Sequence, residues 1–290
     1  MTRWTGTVLA AALAATAGAH PAPAPVTLGT ALSYATDDTP VFTRDGNTAL
    51  FDRQIGAHKT VMIARRVRGV WQQPRVAPFS GRWFDQNPAL APDGSYLLFD
   101  SDRPVRPGGA ALVQSYFGRR QPGSNVWRVN RRGTRWGRPV WLGPVVNDGA
   151  FVDFPDVVGD GSLYVLKWDR GMVHLFRSQY RHGRYLPAVR VAIGDDSMPA
   201  HDPAVALDES FMVLDYGRVK GGLGRLCIVY RRPGGWSAPL DLGDRVNADL
   251  PWGARLAPGG RAVYFTGATK IWRLALGSWE PAHLPERRAP

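Results

Sequence analysis

A turn motif that recurs along the chain constrains the fold more than any other feature of this sequence. Its clearest copy covers residues 85–103, where the turn Pro92-Asp93-Gly94 separates two apolar segments. Glycine accepts the positive φ that a hairpin turn needs, so the motif predicts two antiparallel strands joined by a tight turn. Related turns are centred on Asp45, Asp93, Asp160, Asp208 and Gly259, at intervals of 48, 67, 48 and 51 residues. The spacing indicates five copies of one structural unit.

A second signal has the same period, because each unit ends on an aromatic residue closely followed by proline. These pairs are Trp71 with Pro74, Trp136 with Pro139, Tyr185 with Pro187, Trp236 with Pro239, and Trp279 with Pro281. Proline is tolerated on an edge strand, so this segment is predicted to be the outermost strand of each unit. We interpret the aromatic side chains as structural, filling the space that widens between units towards the outside of a ring.

An apolar segment between these two signals supplies a further strand, as at residues 61–64 and 226–230. Each unit then has four short strands in about 50 residues, which is typical of a β-propeller blade. We therefore predict an all-β fold: a single propeller over residues 38–290, with five blades of four antiparallel strands. A six-bladed ring is the alternative.

The repeat also resembles a known family. The run Asp-Gln-Asn-Pro-Ala-Leu-Ala-Pro-Asp-Gly-Ser-Tyr-Leu-Leu-Phe-Asp-Ser-Asp-Arg over residues 85–103 is similar to the TolB-type (WD-like) propeller repeat of bacterial exported proteins. Residues 221–224 resemble the family's glycine-rich second hairpin, and Trp141-Leu-Gly143 resembles its link between blades. The resemblance implies a propeller fold, and repeats of this type serve in binding, in scaffolding and, as appended domains, in peptidases.

The N-terminal residues 1–19 have the pattern of a secretory signal. Arg3 precedes an apolar stretch, and Ala17-Gly-Ala19 fits the small-residue cleavage site, so we predict cleavage after Ala19. The stretch is too short to span a bilayer as a helix, and no other segment is apolar over the necessary length. Residues 20–37 would form a proline-rich mature N-terminus with a lead-in strand, and the protein is predicted to be periplasmic or secreted.

The formal net charge is +12 and comes mostly from arginine. The basic residues occur in short pairs near predicted hairpin ends, as at Arg65-Arg66, Arg131-Arg132 and Arg231-Arg232. Such pairs are typical of a solvated outer edge that discourages edge-to-edge pairing, and a surface for an anionic partner is the alternative. We predict no nucleic-acid binding. Cys227 is the only cysteine, which excludes an intrachain disulfide.

An aspartate stands just before the inner strand of every unit: Asp38, Asp85, Asp153, Asp202 and Asp249. Because the inner strands of a propeller line its central channel, we predict that these side chains form a ring near one mouth. A functional ring would bind a cation or a cationic group of a partner. In the structural alternative, each aspartate accepts hydrogen bonds from the backbone of its own turn.

The one long interval between turns contains an insertion, residues 104–124. It carries basic and aromatic side chains, namely Arg106, Tyr116, Phe117, Arg119 and Arg120. Loops on a rigid scaffold often carry function, so we predict that these residues contact a partner. A disordered hairpin tip is the alternative.

These features favour a monomeric, non-enzymatic module that binds a protein or cell-envelope component. The sequence has no nucleophile elbow, phosphate-binding loop or spaced histidine cluster, so no catalytic residue, metal site or cofactor is predicted apart from the optional channel cation. The alternative function is a polysaccharide-acting glycoside hydrolase or lyase that uses carboxylates at the channel mouth. Glycoside hydrolases pair a carboxylic acid with a second carboxylate across the scissile bond.

Overall fold

The computed structural model describes residues 24–25, 36–116, 119–169, 171–195, 198–217, 224–268, 270–277 and 279. These residues form five antiparallel blades in a ring around a central channel. The predicted five-bladed β-propeller is therefore confirmed. The predicted signal, residues 1–19, lies outside the described residues. Within the described part of the chain, no helix has the length and hydrophobicity needed to cross a membrane.

Each blade has three long strands and a short strand or pair of strands at its outer edge. Within a blade, the first, second and third strands are counted from the channel outward. The first strand of the chain, β1 (Ala24–Pro25), belongs to the last blade. Blade 1 contains β2 (Asp37–Phe42), β3 (Thr48–Ile55), β4 (His58–Val67), β5 (Val70–Trp71) and β6 (Arg75–Val76). Blade 2 contains β7 (Asp85–Leu90), β8 (Tyr96–Ser101), the inserted β9 (Val113–Tyr116) and β10 (Arg119–Pro122), then β11 (Asn125–Arg132), β12 (Arg135–Trp136) and β13 (Val140–Trp141).

The remaining blades follow the same order. Blade 3 contains β14 (Val152–Val157), β15 (Leu163–Asp169), β16 (Met172–Ser178), β17 (Tyr180–Arg181), β18 (Arg184–Tyr185) and β19 (Val189–Arg190). Blade 4 contains β20 (Ala200–Val205), β21 (Phe211–Tyr216), β22 (Arg225–Arg232), β23 (Gly235–Trp236) and β24 (Leu240–Asp241). After the short α1 (Asp244–Asn247), blade 5 contains β25 (Trp252–Leu256), β26 (Ala262–Thr266) and β27 (Ile271–Ala275).

The middle strands are buried on both faces because each blade packs between two others. In β8, the consecutive Leu97, Leu98 and Phe99 are all fully buried, although their side chains point to alternate faces. A sheet covered on both faces favours a continuous apolar run over an alternating pattern. Hydrophobic clusters fill the spaces between neighbouring blades and form the core.

The aromatic residues predicted for the outer strands pack against these clusters and are half-buried. Trp136 lies against the cluster between blades 1 and 2, with its ring centroid 5.6 Å from that of Phe79. Tyr185 and Trp236 occupy the next two interfaces around the ring. The structure confirms inter-blade packing at these positions. In blades 1 to 4 the proline also lies between two two-residue edge strands, such as β12 and β13, which are poor templates for edge pairing.

The fifth blade closes the ring with a strand from the other end of the chain. β1 pairs antiparallel with β27, so that Ala24 lies opposite Arg273 and Pro25 opposite Trp272. The prediction of an outer strand at Trp279 is wrong: Trp279 lies outside any strand and packs against the cluster between blades 4 and 5. Its partner in the predicted motif, Pro281, lies outside the described residues.

Candidate functional site

The channel opens on two faces of the ring that carry different parts of the sequence. The inner strands begin on one face, the loop face, and antiparallel order places the connections from second to third strands there as well. The tight turns between first and second strands lie on the opposite face, the turn face. The predicted aspartates and the insertion therefore belong to the loop face.

A β-bulge in every inner strand sets the direction of the channel side chains. The pairing register shifts at the same place in each blade, and the bulged residues all have positive φ: Thr39, Asn87, Phe154, Asp202 and Gly253. Counted from the bulge, Asp38 and Asp153 stand one residue before it, Asp85 stands two before it, and Asp202 occupies it. Successive strand residues point to opposite faces. The five predicted aspartates therefore do not form a ring of equivalent side chains.

Asp38 belongs to a buried charge cluster that joins blade 1 to blade 5. Lys59 Nζ lies 2.7 Å from Asp38 Oδ2 and 3.0 Å from Asp52 Oδ2. Trp252 Nε1 in blade 5 donates a hydrogen bond to Asp38 Oδ1 over 3.1 Å. Burial raises the pKa of Asp38, and the nearby Asp52 carboxylate adds to that shift. Burial disfavours the charged form of Lys59. The two nearby carboxylates outweigh this effect of burial and raise the pKa of Lys59.

Asp85 is fully buried in an ion pair within blade 2. Its Oδ1 lies 2.6 Å from Arg103 Nη2 and accepts a second hydrogen bond from Ser101, while its Oδ2 accepts one from Ser80. Arg103 Nη2 also donates to the Phe79 carbonyl over 3.2 Å. Both carboxylate oxygens thus have donors inside the protein, as a buried structural charge requires.

Asp153 shares its hydrogen-bond donors with Asp100 of the neighbouring blade. Ser124 Oγ lies 3.0 Å from Asp153 Oδ1 and 3.3 Å from Asp100 Oδ2. Asn87 Nδ2 lies 3.4 Å from each carboxylate. Burial, followed by the negative charge of Asp153, raises the pKa of Asp100 well above its ordinary value. These contacts connect blades 2 and 3 across the inner strands.

The last two predicted aspartates also have partners in the protein. Asp202 Oδ2 accepts the Gly253 N–H over 3.0 Å, and Asp249 Oδ2 accepts Trp272 Nε1 over the same distance. Within the described part of the chain, these contacts do not match the structural alternative: Asp202 alone accepts from a backbone amide, and that amide belongs to blade 5. Among the residues that the structure describes, no three His, Cys, Asp or Glu side chains are arranged to hold a metal ion. Ligand binding by the five aspartates stays a prediction.

A cavity of about 1040 Å³, here called the funnel, opens on the turn face. All five blades line it through the ends of their inner strands and the turns that follow. Its apolar walls include Phe42, Leu90, Val157, Val205 and Leu256, and charged residues from the turns surround its opening, namely Arg44, Asp45, Asp93, Arg131 and Asp208. None of the five predicted aspartates lines the funnel.

Two charged side chains of the funnel stand where the other blades have small apolar residues. Counted from the bulge, Asp156 in blade 3 and Arg255 in blade 5 are equivalent to Val41, Ala89 and Ala204. Sequence reasoning missed both because the units were aligned on their aspartates. Proline follows the bulged residue in four blades, at Pro40, Pro88, Pro155 and Pro203, and an alignment on that proline reveals the charged pair.

Arg255 is 2% exposed, and its hydrogen-bonding capacity is largely unused. Its guanidinium carbon lies 3.9 Å from the centroid of the Phe154 ring, and its Nη2 donates to the Asn87 carbonyl over 3.1 Å. The Nε and Nη1 atoms have no hydrogen-bond partner. Burial lowers the pKa of Arg255, and the nearby carboxylates, Asp156 first among them, oppose that shift.

Asp156 lies in the same cavity and accepts two backbone hydrogen bonds. The Val205 N–H lies 2.7 Å from Oδ2, and the Val157 N–H lies 3.1 Å from Oδ1. Burial raises the pKa of Asp156 to about 6, against the opposing charge of Arg255. The funnel thus combines apolar walls, a guanidinium with free donors and a carboxyl group that titrates near neutral pH.

The insertion forms an ordered hairpin on the opposite face of the ring. β9 and β10 pair with each other, with Tyr116 opposite Arg119 and Ser115 opposite Arg120. Arg106, Arg119 and Arg120 are exposed. Phe117 lies outside the described residues. Contact of these residues with a partner stays a prediction.

The fold has counterparts among solved structures, although no protein-family model and no curated protein sequence matches the chain. A candidate TolB from Agrobacterium tumefaciens is 15% identical over 79% of this chain and 69% of its own length, with a TM-score of 0.51. The chain has a TolB-type propeller fold. The sequence resemblance correctly predicted this fold.

Two further solved structures are similar to the chain at lower TM-scores. TolB from Acinetobacter baumannii is 14% identical over 83% of this chain but only 43% of its own length, with a TM-score of 0.42. A gluconolactonase from Xanthomonas campestris is 12% identical over 88% of this chain and 95% of its own length, with a TM-score of 0.47. Likenesses at this level of identity carry no information about function.

Proposed function

We propose that this TolB-type propeller is an exported, non-enzymatic binding module that receives a segment of a protein or cell-envelope partner in the funnel. The observation that carries the proposal is a cavity of about 1040 Å³ lined by all five blades, with apolar walls and one buried guanidinium that has free donors. Ligand sites typically have this size and combine apolar walls with a few placed polar groups. Export is inferred from the signal pattern of residues 1–19.

The loop-face end of the channel supports partner binding less well. There the carboxylates of Asp38 and Asp85 are held by Lys59 and Arg103 of their own blades. The exposed arginines of the insertion hairpin form a separate candidate contact surface on that face. The two surfaces lie on opposite sides of the ring, so one experiment can distinguish them.

Site-specific photo-crosslinking in intact cells tests the proposal. A photoreactive amino acid at Leu207, which is 52% exposed and lines the funnel, should give a covalent adduct with the partner. The matched control is Val70, which is 63% exposed on the edge of blade 1 and should give none. An adduct at Arg119 without one at Leu207 would indicate that the partner binds the loop face. A lack of adducts at both Leu207 and Arg119 would contradict the binding-module proposal.

The second candidate function is a polysaccharide-acting enzyme, which one observation favours. Asp156 lies in the funnel with its pKa raised to about 6, as suits a general acid. If Asp156 has that role, Asp156→Asn should lower hydrolysis of envelope polysaccharides by about 10²- to 10⁴-fold. Failure of the wild-type protein to cleave any glycan of such a panel would eliminate this candidate.

A further inference from the structure

The buried guanidinium in the funnel points to the chemical class of its ligand. We propose that the funnel captures the C-terminal carboxylate of a peptide segment through the free N–H groups of Arg255. The inference rests on the proposed function and specifies which part of the partner enters the cavity.

The hydrogen-bonding capacity of Arg255 supports a planar acceptor. A guanidinium has five N–H donors, and a buried donor without an acceptor is unfavourable. Nη2 carries two hydrogens, and the Asn87 carbonyl accepts from one of them. The other Nη2 hydrogen and a hydrogen on Nε or Nη1 point in the same direction and form one edge of the guanidinium. This two-hydrogen edge has no acceptor within the part of the protein that the structure describes. A carboxylate matches such an edge with two parallel hydrogen bonds.

The surroundings of Arg255 favour a singly charged ligand. Four carboxyl groups act electrostatically on the guanidinium, namely those of Asp156, Asp202, Asp100 and Asp52. No hydrogen bond joins any of them to Arg255, whose Nη2 donates to the Asn87 carbonyl. A dianion such as phosphate would meet stronger repulsion from these side chains than a carboxylate. Burial raises the pKa of Asp156 to about 6, so the side chain takes up a proton more readily than an ordinary aspartate and in that form can donate a hydrogen bond to a ligand oxygen.

The position of Arg255 favours a chain end over an internal segment. Arg255 is 2% exposed, whereas Asp45, Asp93 and Asp208 at the opening of the funnel are exposed. An internal segment would have to enter and leave through the same opening to reach this depth. A C-terminus enters once and leaves its side chains against the apolar walls. Capture of a terminal carboxylate by buried donors is an established mode of peptide recognition.

Calorimetric titration of the purified full chain tests the inference. The probes are a pool of N-acetylated apolar tetrapeptides with free C-terminal carboxylates, and the same peptides as C-terminal amides. We expect the acids to bind at least about 10-fold more tightly than the amides, because the amide leaves buried donors without a charged acceptor. Arg255→Lys keeps the charge but loses the planar edge, and should remove most of this preference.

Arg103→Lys is the matched control, because Arg103 is also buried but does not line the funnel. It should leave the affinity for the acids within about 2-fold, and thermal melts should show that both variants are folded.

Equal binding of acids and amides, or binding of neither, would overturn the inference. Competition by inorganic phosphate as strong as that by acetate would also overturn it, by showing a general anion site. If the Leu207 adduct still forms in Arg255→Lys, the proposed function stands and only the carboxylate inference fails.

Discussion

The two ends of the channel hold buried charge in different ways. At the loop face, Asp85 has a donor on each oxygen, and Asp38 pairs with Lys59. At the turn face, Arg255 has one hydrogen bond and two nitrogen atoms without a partner. A buried charge with all its partners inside the protein stabilises the fold. A buried charge with free donors beside a cavity is available to a ligand.

The largest expected effect comes from breaking the internally paired end. Arg103→Met leaves the fully buried Asp85 carboxylate without its counterion, which should lower the free energy of unfolding by about 3 to 5 kcal/mol. Chemical denaturation measures this change. Arg255→Met is the comparison and should cost less, since Arg255 makes no direct ion pair. A larger loss for Arg255→Met would show that Arg255 is a structural cation and that the difference between the two ends is misread.

A substitution far from both ends separates stability from binding. Trp236 is half-buried between blades 3 and 4, and the Arg231 guanidinium lies 5.2 Å from its ring centroid. Trp236→Ala should cost about 2 to 3 kcal/mol, below the range for a fully buried tryptophan, as measured by chemical denaturation. Peptide affinity should stay within about 2-fold, because the funnel is remote. A variant with unchanged stability and lost binding would identify the outer aromatic residues as the recognition surface.

Asp215 is an exception at the loop face and predicts a pH effect. It is 3% exposed, its Oδ1 has no hydrogen-bond partner, and burial followed by the charge of Asp202 raises its pKa to about 7. In this case the folded state binds the proton more tightly than the unfolded state. The stabilisation that comes from protonated Asp215 is therefore complete below the ordinary pKa of 3.8, and it is lost as pH rises towards 7.

Asp215→Asn should remove that decline. At pH near 8 the variant should be more stable than wild type by about 3 kcal/mol, and at pH near 4 the two should differ little. Denaturation curves at several pH values measure the difference. A constant difference across this range would mean that the pKa of Asp215 is not raised in the folded protein.

The smallest effect is expected from shortening the insertion hairpin. Among the strands that the structure describes, β9 and β10 pair only with each other. Replacing residues 114–121 by two glycines should therefore change stability by about 0.5 kcal/mol or less. Thermal melts measure this change, and the Leu207 adduct should persist. Loss of the adduct in a folded variant would show that the partner also needs the loop face, as the sequence analysis predicted for Arg106 and Arg119.

The sequence by itself determined the repeat and its local structure. Turns such as Pro92-Asp93-Gly94 and apolar runs such as residues 96–99 fix strands through short-range preferences, and five copies imply five blades. The aromatic and proline residues marked the outer edges for the same reason. Strand and turn formation depend on neighbouring residues, so these features were predictable in every blade apart from the outer edge of the last one.

Only the tertiary structure decided how the ring closes and which charges meet. β1 completes blade 5 although the chain between them contains every other blade. A one-residue bulge in each inner strand turned the predicted aspartates to different sides and brought Asp156 and Arg255 into the funnel. The hydrogen bond between Arg255 and Asn87 joins residues 168 positions apart. Such contacts depend on register and on the simultaneous packing of all blades, which no local pattern encodes.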